Sequence, residues 1–324
     1  MSRLLFCLCL LLTLVSCRRR NILNPNTDRD GLKMYQIRSD RTDEEIVQFL
    51  EPHQVWIAPE ATKRNQLLVF LGGTSSAPRL YQAFPQFAAS IGYHVVNVAY
   101  NNSPSVQVCS GDPARECFER LREETWAGRN TSTRIFINET HSVHNRLLKL
   151  VQYMDEISPD EGWDQYVTGD DLQFDRVVVA GHSQGAGLAA YIGRQERVAR
   201  VIMFSGPNDY SELYEEAADW AEGFYETPVE RYYGLLHADD EIIPFSRQYA
   251  FWQRLGLIAL GDTVLIDDKS APYDNARALY TRTRPARNVL PLGKYHNAAV
   301  VDKYLRKEEG EYVMAEAWRY LLGG

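Results

Sequence analysis

The residues best suited to chemistry form the pentapeptide GHSQG at residues 181–185. It follows an apolar run, FDRVVVA, and precedes a run of small residues, so the sequence predicts a strand, a tight turn and a helix in that order. In such a turn the positions two residues before and after the serine, Gly181 and Gly185, must be small, and the serine is strained with its hydroxyl exposed. The helix N-terminus and the backbone N–H of Gln184 favour a developing negative charge. Ser183 is therefore the predicted nucleophile for acyl transfer.

A serine nucleophile needs a base, and the chain offers seven histidines. Where a serine lies in a turn of this kind, the acid and then the histidine follow it in the chain. His296 comes after the serine and after every plausible acid, in the late loop-like stretch GKYHNAAVVD. His182 adjoins the nucleophile, but neighbours in a tight turn point in different directions, so we expect it to pack or to support the site. His296 is the predicted base.

The acid that orients this histidine is sought at the end of the apolar strand that begins at Arg231. Asp239, Asp240 and Glu241 follow one another there. The acid would hold the imidazole in one tautomer and stabilise the imidazolium. Residue type and position alone leave the choice among the three open.

Alternating apolar strands and helical stretches must position these residues. Strands are predicted at residues 54–58, 66–71, 94–100, 174–180, 198–204, 231–236 and 263–266, and helices at residues 79–91, 113–126, 140–157, 184–195, 245–257 and 311–322. Strands that are apolar on both faces indicate an α/β fold with a mostly parallel central sheet and helices on both faces. No linker interrupts the pattern, so residues 65–324 form one predicted catalytic domain, after a tether and early strands at residues 18–64.

Several stretches together resemble a subfamily of secreted α/β hydrolases over roughly residues 66–305. They are GHSQGAG, VIMFSGPND, ERYYGLLHADDEI, WQRLGL and the pair Cys109 and Cys117. The resemblance implies the α/β-hydrolase fold with a small cap insertion, and a serine hydrolase that needs no cofactor. Many relatives carry an Asp four residues before a Pro at the end of the acid strand. That register selects Asp240, four residues before Pro244, with Asp239 second.

The implied reaction is hydrolysis of a small-molecule carboxylic ester through an acyl-enzyme on Ser183. A peptidase or an acyltransferase with the same triad is a second interpretation, because sequence does not reveal the subsites that distinguish them. A catalytically silent, surface-anchored binding protein is a third, which the presence of both Ser183 and His296 disfavours. The acyl and alcohol groups of the substrate and the oligomeric state stay open.

The loop after the strand at residues 66–71 is expected to supply a second oxyanion donor beside Gln184. Gly73 and Thr74 are the candidates, because glycine lets the backbone approach a substrate closely. The register favours Thr74. The oxyanion site is thus predicted from Gln184 and this loop.

Segment 208–230 occupies the place where relatives carry a cap. It holds five aromatic and eight acidic residues but no Lys or Arg. One interpretation is a lid whose aromatic side chains contact the substrate and whose charge repels anions. The other is an amphipathic helix with its aromatic side chains in the core and its carboxylates in water. The sequence favours neither.

Residues 1–17 have the character of a signal peptide. A short positive start precedes the apolar run LLFCLCLLLTLV, which is too short for a comfortable transmembrane helix. The run ends in Leu14-Val15-Ser16-Cys17, which resembles the lipobox of bacterial lipoproteins and implies a lipid on Cys17. A plain secretory signal is the alternative. We expect an exported protein, either anchored to a bacterial membrane by this lipid or secreted.

Cysteine usage agrees with export. Of five cysteines, Cys7 and Cys9 leave with the signal and Cys17 would carry lipid, so Cys109 and Cys117 remain. In an oxidising compartment we expect these two to form a disulfide, with two free thiols as the alternative. No metal site is expected, because no further ligands lie at suitable spacing. The formal net charge of −8 argues against a nucleic-acid partner.

Overall fold

A ten-stranded mixed sheet runs through the computed structural model of the protein, which describes residues 26, 27, 31–286 and 292–324. The strands are β1 Asn26–Thr27, β2 Lys33–Arg38, β3 Pro52–Ile57, β4 Leu67–Leu71, β5 His94–Val98, β6 Val177–His182, β7 Arg200–Phe204, β8 Tyr232–His237, β9 Val264–Leu265 and β10 Ala278–Thr281. Their order is β1-β2-β3-β5-β4-β6-β7-β8-β10-β9. The strands from β5 to β9 in this order run parallel, and β1, β2 and β3 each run antiparallel to the next strand. The predicted α/β fold with a mostly parallel sheet is confirmed.

Helices cover the sheet on both faces. They are α1 Ser39–Thr42, α2 Ala83–Ser90, α3 Cys117–Ala127, α4 Val143–Ile157, α5 Gln184–Gln195, α6 Phe245–Arg254 and α7 Ala315–Leu321. Helices α3 to α6 contribute to one core cluster, and α2 and α7 to a second. Strand β4 shows why both cores form: Leu67, Val69 and Leu71 enter the first cluster, while Leu68 and Phe70 enter the second. Successive side chains of a strand point to opposite faces, so an all-apolar strand serves two cores.

The connections change direction between the neighbouring strands β4 and β6. After β4 the chain passes through α2 to β5 on one side, and after β6 it passes through α5 to β7 on the other. In open α/β sheets, ligands bind in the crevice at the carboxyl ends of strands at such a switch point. Ser183 directly follows β6, and Gly73 lies just beyond β4. The fold thus brings the predicted nucleophile and the predicted oxyanion loop to one crevice.

Three strands that precede β4, namely β1, β2 and β3, belong to the same sheet. Strands β2 and β3 pair with each other, and β3 pairs with β5. Neither β2 nor β10 was expected from the sequence: β2 buries only every second residue near its end, and β10 has only four residues. None of the helices in the described part of the chain is long and apolar enough to span a bilayer.

Cys109 and Cys117 form a disulfide with their Cα atoms 5.5 Å apart, as predicted. Cys117 begins α3, and Cys109 ends a short 3-10 turn that starts at Val106. The bond therefore ties a loop near the end of β5 to the first turn of α3. Disulfides persist in oxidising compartments, so this bond agrees with export.

Replacing both cysteines by serine should lower the free energy of unfolding, because the disulfide restricts the unfolded chain. The expected loss is about 2–3 kcal/mol, since the loop that the bond closes is short. Urea unfolding followed by circular dichroism measures the change. Reducing the wild type should lower its midpoint to that of the Cys109→Ser/Cys117→Ser variant, and the reductant should not affect the variant. Equal midpoints for the oxidised wild type and the variant would contradict a stabilising role.

Candidate active site

Ser183 lies in a strained turn between β6 and α5. Its backbone angles are φ 56° and ψ −118°, a positive φ that side-chain-bearing residues rarely adopt. A Cβ on Gly181 would lie 2.1 Å from the carbonyl oxygen of Gly185, and a Cβ on Gly185 would lie 2.1 Å from that of Leu71. No side chain fits at either position, which explains the two glycines of the motif. Ser183 itself is partly exposed and faces a cleft.

His296 and Asp240 form a buried pair beside this turn. The imidazole Nδ1 lies 2.8 Å from Asp240 Oδ2. The other oxygen, Oδ1, accepts hydrogen bonds from the backbone N–H groups of Ile242 (2.9 Å) and Ile243 (2.8 Å). The amide of Gln248 donates to Oδ2 at 3.0 Å. With Nδ1 bonded to the acid, Nε2 is the nitrogen left to accept a proton.

The surroundings of Asp240 keep it ionised. Burial on its own would raise the pKa of this carboxyl, but the hydrogen bond to His296, the charge of His296 and the two backbone N–H donors outweigh it and lower the pKa. A carboxyl whose pKa is lowered on folding stabilises the folded protein fully above its unfolded pKa of about 4. That contribution is lost as the pH falls through the folded pKa.

The two alternative acids have other contacts. Asp239 is exposed, and its backbone N–H donates to His237 Nδ1 at 3.0 Å. The carboxylate of Glu241 accepts hydrogen bonds from the backbone N–H groups of Tyr295 (3.2 Å) and His296 (3.3 Å). Of the three candidates, the structure brings only Asp240 to the imidazole, and Glu241 supports the backbone of the histidine loop.

His182 links that loop to the oxyanion loop. The carbonyl of His296 can only accept, so His182 donates to it from Nε2 at 3.1 Å. Nδ1 of His182 then accepts from the Tyr81 hydroxyl at 3.1 Å, and the Tyr81 oxygen accepts from the N–H of Gly73 at 3.0 Å. Burial, with a smaller effect from the charge of His296, lowers the pKa of His182 to about 3. The ring therefore stays neutral at physiological pH and keeps this tautomer.

The predicted oxyanion residues lie in the same cleft as Ser183. Because the N–H of Gly73 is bonded to Tyr81, Thr74 is the better candidate of the two. The Thr74 hydroxyl donates to Gln184 Oε1 at 2.8 Å, and this oxygen also accepts from the N–H of Val106 at 2.9 Å. The side chain of Gln184 thus holds the loops after β4 and β5 against the start of α5.

A buried ion pair supports the turn from behind. Arg122 on α3 binds Asp209 through Nε (3.1 Å) and Nη2 (2.5 Å), and its Nη1 donates to the carbonyl of Gln184 at 2.6 Å. The indole of Trp220 donates to Asp209 at 2.9 Å. No local sequence signal indicates this pair, because its two members are 87 residues apart.

The cleft around Ser183 has a volume of about 590 Å³, within the range of small-molecule sites. His182, His296 and the oxyanion residues share its wall with apolar side chains. The apolar members are Leu80, Tyr81, Val106, Ile242, Ile243, Val301 and Tyr304. Leu80 and Ile242 are exposed, at 42% and 45%. The cleft therefore offers an apolar surface next to Ser183.

Segment 208–230 lies mostly away from this cleft. Among its residues, all of which the structure describes, Asn208 alone lines the cleft. Trp220 is buried against Tyr191 and Phe251. Carboxylates of segment 208–230 bind arginines outside the segment, in the pairs Glu212–Arg247, Glu216–Arg115 and Asp219–Arg254. These contacts favour the core-packing interpretation over the lid, although a short hairpin, Tyr210–Ser211 with Glu216–Ala217, takes the place of the expected helix.

Comparison with known proteins gives this arrangement no family. The chain matches none of the family models searched, and no curated protein matches its sequence. Within the described residues, no group of three or more His, Cys, Asp or Glu side chains is placed to hold a metal ion. The function is therefore inferred from the geometry of the site.

Asp240→Asn should slow labelling of Ser183 by a fluorophosphonate probe by up to about 10⁴-fold, because the amide favours the wrong imidazole tautomer. Asp239→Asn is the matched control and should change the labelling rate little, since that side chain is exposed. Gel fluorescence over a time course measures both rates. Equal small losses in the two variants would contradict the role of Asp240.

Tyr81→Phe should also slow labelling, because it leaves the N–H of Gly73 and His182 Nδ1 without their buried partner. We expect a loss of about tenfold, which corresponds to roughly 1–2 kcal/mol for a buried group left unpaired. Tyr93→Phe is the control, since it removes a buried hydroxyl that donates to the carbonyl of Leu322, far from the site. If both variants lose thermal stability alike and neither loses labelling rate, Tyr81 has no positioning role.

Proposed function

We propose that the protein is an exported serine hydrolase of the α/β-hydrolase type that cleaves carboxylic esters. The observation that carries the proposal is the arrangement at the switch point of the sheet. A strained, partly exposed serine, a histidine bonded to a buried carboxylate and the predicted oxyanion residue Thr74 share one cleft. The order Ser183, Asp240, His296 along the chain and the elbow between strand and helix are features of that fold.

In the proposed reaction, Ser183 Oγ attacks the ester carbonyl carbon while Nε2 of His296 takes its proton. The negative charge that develops on the carbonyl oxygen is stabilised by the N–H groups of Gln184 and Thr74. The C–O bond to the alcohol breaks, and His296 returns the proton to the leaving alcohol. Water, deprotonated by His296, then cleaves the acyl-serine, releasing the acid and restoring the serine hydroxyl.

Asp240 contributes by fixing the imidazole. Its hydrogen bond to Nδ1 makes Nε2 the nitrogen that takes the serine proton, and its charge stabilises the imidazolium formed in each step. Four hydrogen bonds hold the carboxylate itself, from Ile242, Ile243, Gln248 and His296. The acid therefore needs little rearrangement when the charge on the imidazole appears.

We propose export because of the cysteine pattern and the predicted signal peptide. The Cys109–Cys117 disulfide supports an oxidising environment. The signal peptide at residues 1–17 and the lipid on Cys17 lie outside the described residues and stay predictions. An N-terminal lipid would hold the enzyme at a membrane surface.

Ser183→Ala should abolish hydrolysis of p-nitrophenyl esters, with a loss of about 10⁶-fold in kcat, as is typical when a triad nucleophile is removed. Circular dichroism should show an intact fold, because the side chain is small and partly exposed. Release of p-nitrophenol from acyl chains of increasing length measures the activity. Activity retained in the variant would reject Ser183 as nucleophile, and an inactive wild type would favour the binding-protein interpretation.

A further inference from the structure

The formally charged side chains that line the cleft are both cations. Among the described residues that line the cleft, Arg247 and Lys303 are the lysine and arginine side chains, and none is Asp or Glu. The chain as a whole has a formal net charge of −8. The formal charge of the cleft lining is therefore positive, whereas the net charge of the whole chain is negative.

Two carboxylates that follow β8 are already engaged, and the exposed Asp239 does not line the cleft. Asp240 lies beneath His296, and Glu241 binds the backbone of the histidine loop. Arg247 is paired with Glu212, so its charge is largely compensated. Lys303, in contrast, is exposed and forms no ion pair within the described part of the chain. It is the uncompensated cation of the cleft wall.

The backbone beneath Lys303 is firmly held. Residues Asp302–Tyr304 form a 3-10 turn. The carboxylate of Asp302 accepts hydrogen bonds from the N–H groups of Gln82 (2.9 Å) and Ala83 (3.0 Å) at the start of α2. This anchor fixes the base of the lysine at the cleft wall, while its ammonium group stays in solvent.

We infer that the preferred substrates are esters that carry a carboxylate several atoms from the scissile carbonyl, with Lys303 as the residue that selects them. This inference rests on the proposed function. The exposed apolar side chains of Leu80 and Ile242 line the same cleft and suit an aliphatic segment between the two groups. A positive wall also raises the local concentration of anionic substrates.

The test compares charged and neutral esters of matched size. On the acyl side, the pair is p-nitrophenyl hemiglutarate and p-nitrophenyl valerate. On the alcohol side, it is 4-(carboxymethyl)phenyl acetate and 4-ethylphenyl acetate. The readout is the ratio of kcat/KM for the charged ester to that for its neutral partner. In at least one pair, Lys303→Gln should lower this ratio about threefold, the size of an exposed ion pair, and Lys303→Glu should lower it further.

Lys294→Gln is the matched control. Lys294 is two residues from His296 and its ammonium group lies over the ring of Tyr295, but it does not line the cleft. This variant removes the same charge nearby and should leave the ratio unchanged. For the wild type, 0.5 M NaCl should reduce the ratio, because salt screens exposed charges.

The outcomes separate the two proposals. Ser183-dependent hydrolysis with the same ratio in the wild type and in Lys303→Gln, for both pairs, would overturn the inference and leave the esterase proposal standing. The same fall in ratio for Lys294→Gln would replace recognition at Lys303 by a general charge effect. Absence of Ser183-dependent hydrolysis in both pairs would overturn both proposals.

Discussion

Close approach of backbone at the Ser183 turn is the constraint on which the rest of the site depends. Helix α5 can begin directly against the end of β4 because Gly185 has no side chain to meet the carbonyl of Leu71. This contact brings Ser183 next to the loop that follows β4. The strained backbone of Ser183 is held by its own hydrogen bonds, N–H to the carbonyl of Phe204 (2.9 Å) and carbonyl to the N–H of Ala186 (3.0 Å). Strain at one residue is therefore sustained by regular structure on both sides.

The loops around the serine hold one another in place. The carbonyl of His296 accepts hydrogen bonds from His182 Nε2 (3.1 Å) and from the Ser205 hydroxyl (2.7 Å). Ser205 directly follows β7, so the base is tied to two strand ends besides its bond to the acid after β8. Electrostatic stabilisation of a developing charge is strongest when the polar groups need not reorganise. Mutual bonding of the loops provides that rigidity without placing any catalytic group on a flexible tip.

The sequence predicted the helices and strands whose bounds depend on the local pattern of residues. The helix Gln184–Gln195 has the predicted bounds, and the strands around it differ by a few residues, because apolar runs and glycines act over short distances. Chain order then led to His296. Tyr81 and Ser205 were missed, since their roles come from contacts with residues about 100 positions away. A tyrosine or serine in such a place has no sequence signal of its own.

The charge around the site is a second property that the local sequence pattern does not predict. The eight acidic residues of segment 208–230 suggest a negative field over the site, but Arg115, just before α3, and two arginines of α6 bind several of them. The field that a substrate meets depends on which charges lack a nearby partner and where they lie. In this cleft the charge without a partner is that of Lys303, which is exposed and unpaired among the described residues. A chain with a strongly negative net charge can therefore present a positively charged wall beside its proposed nucleophile.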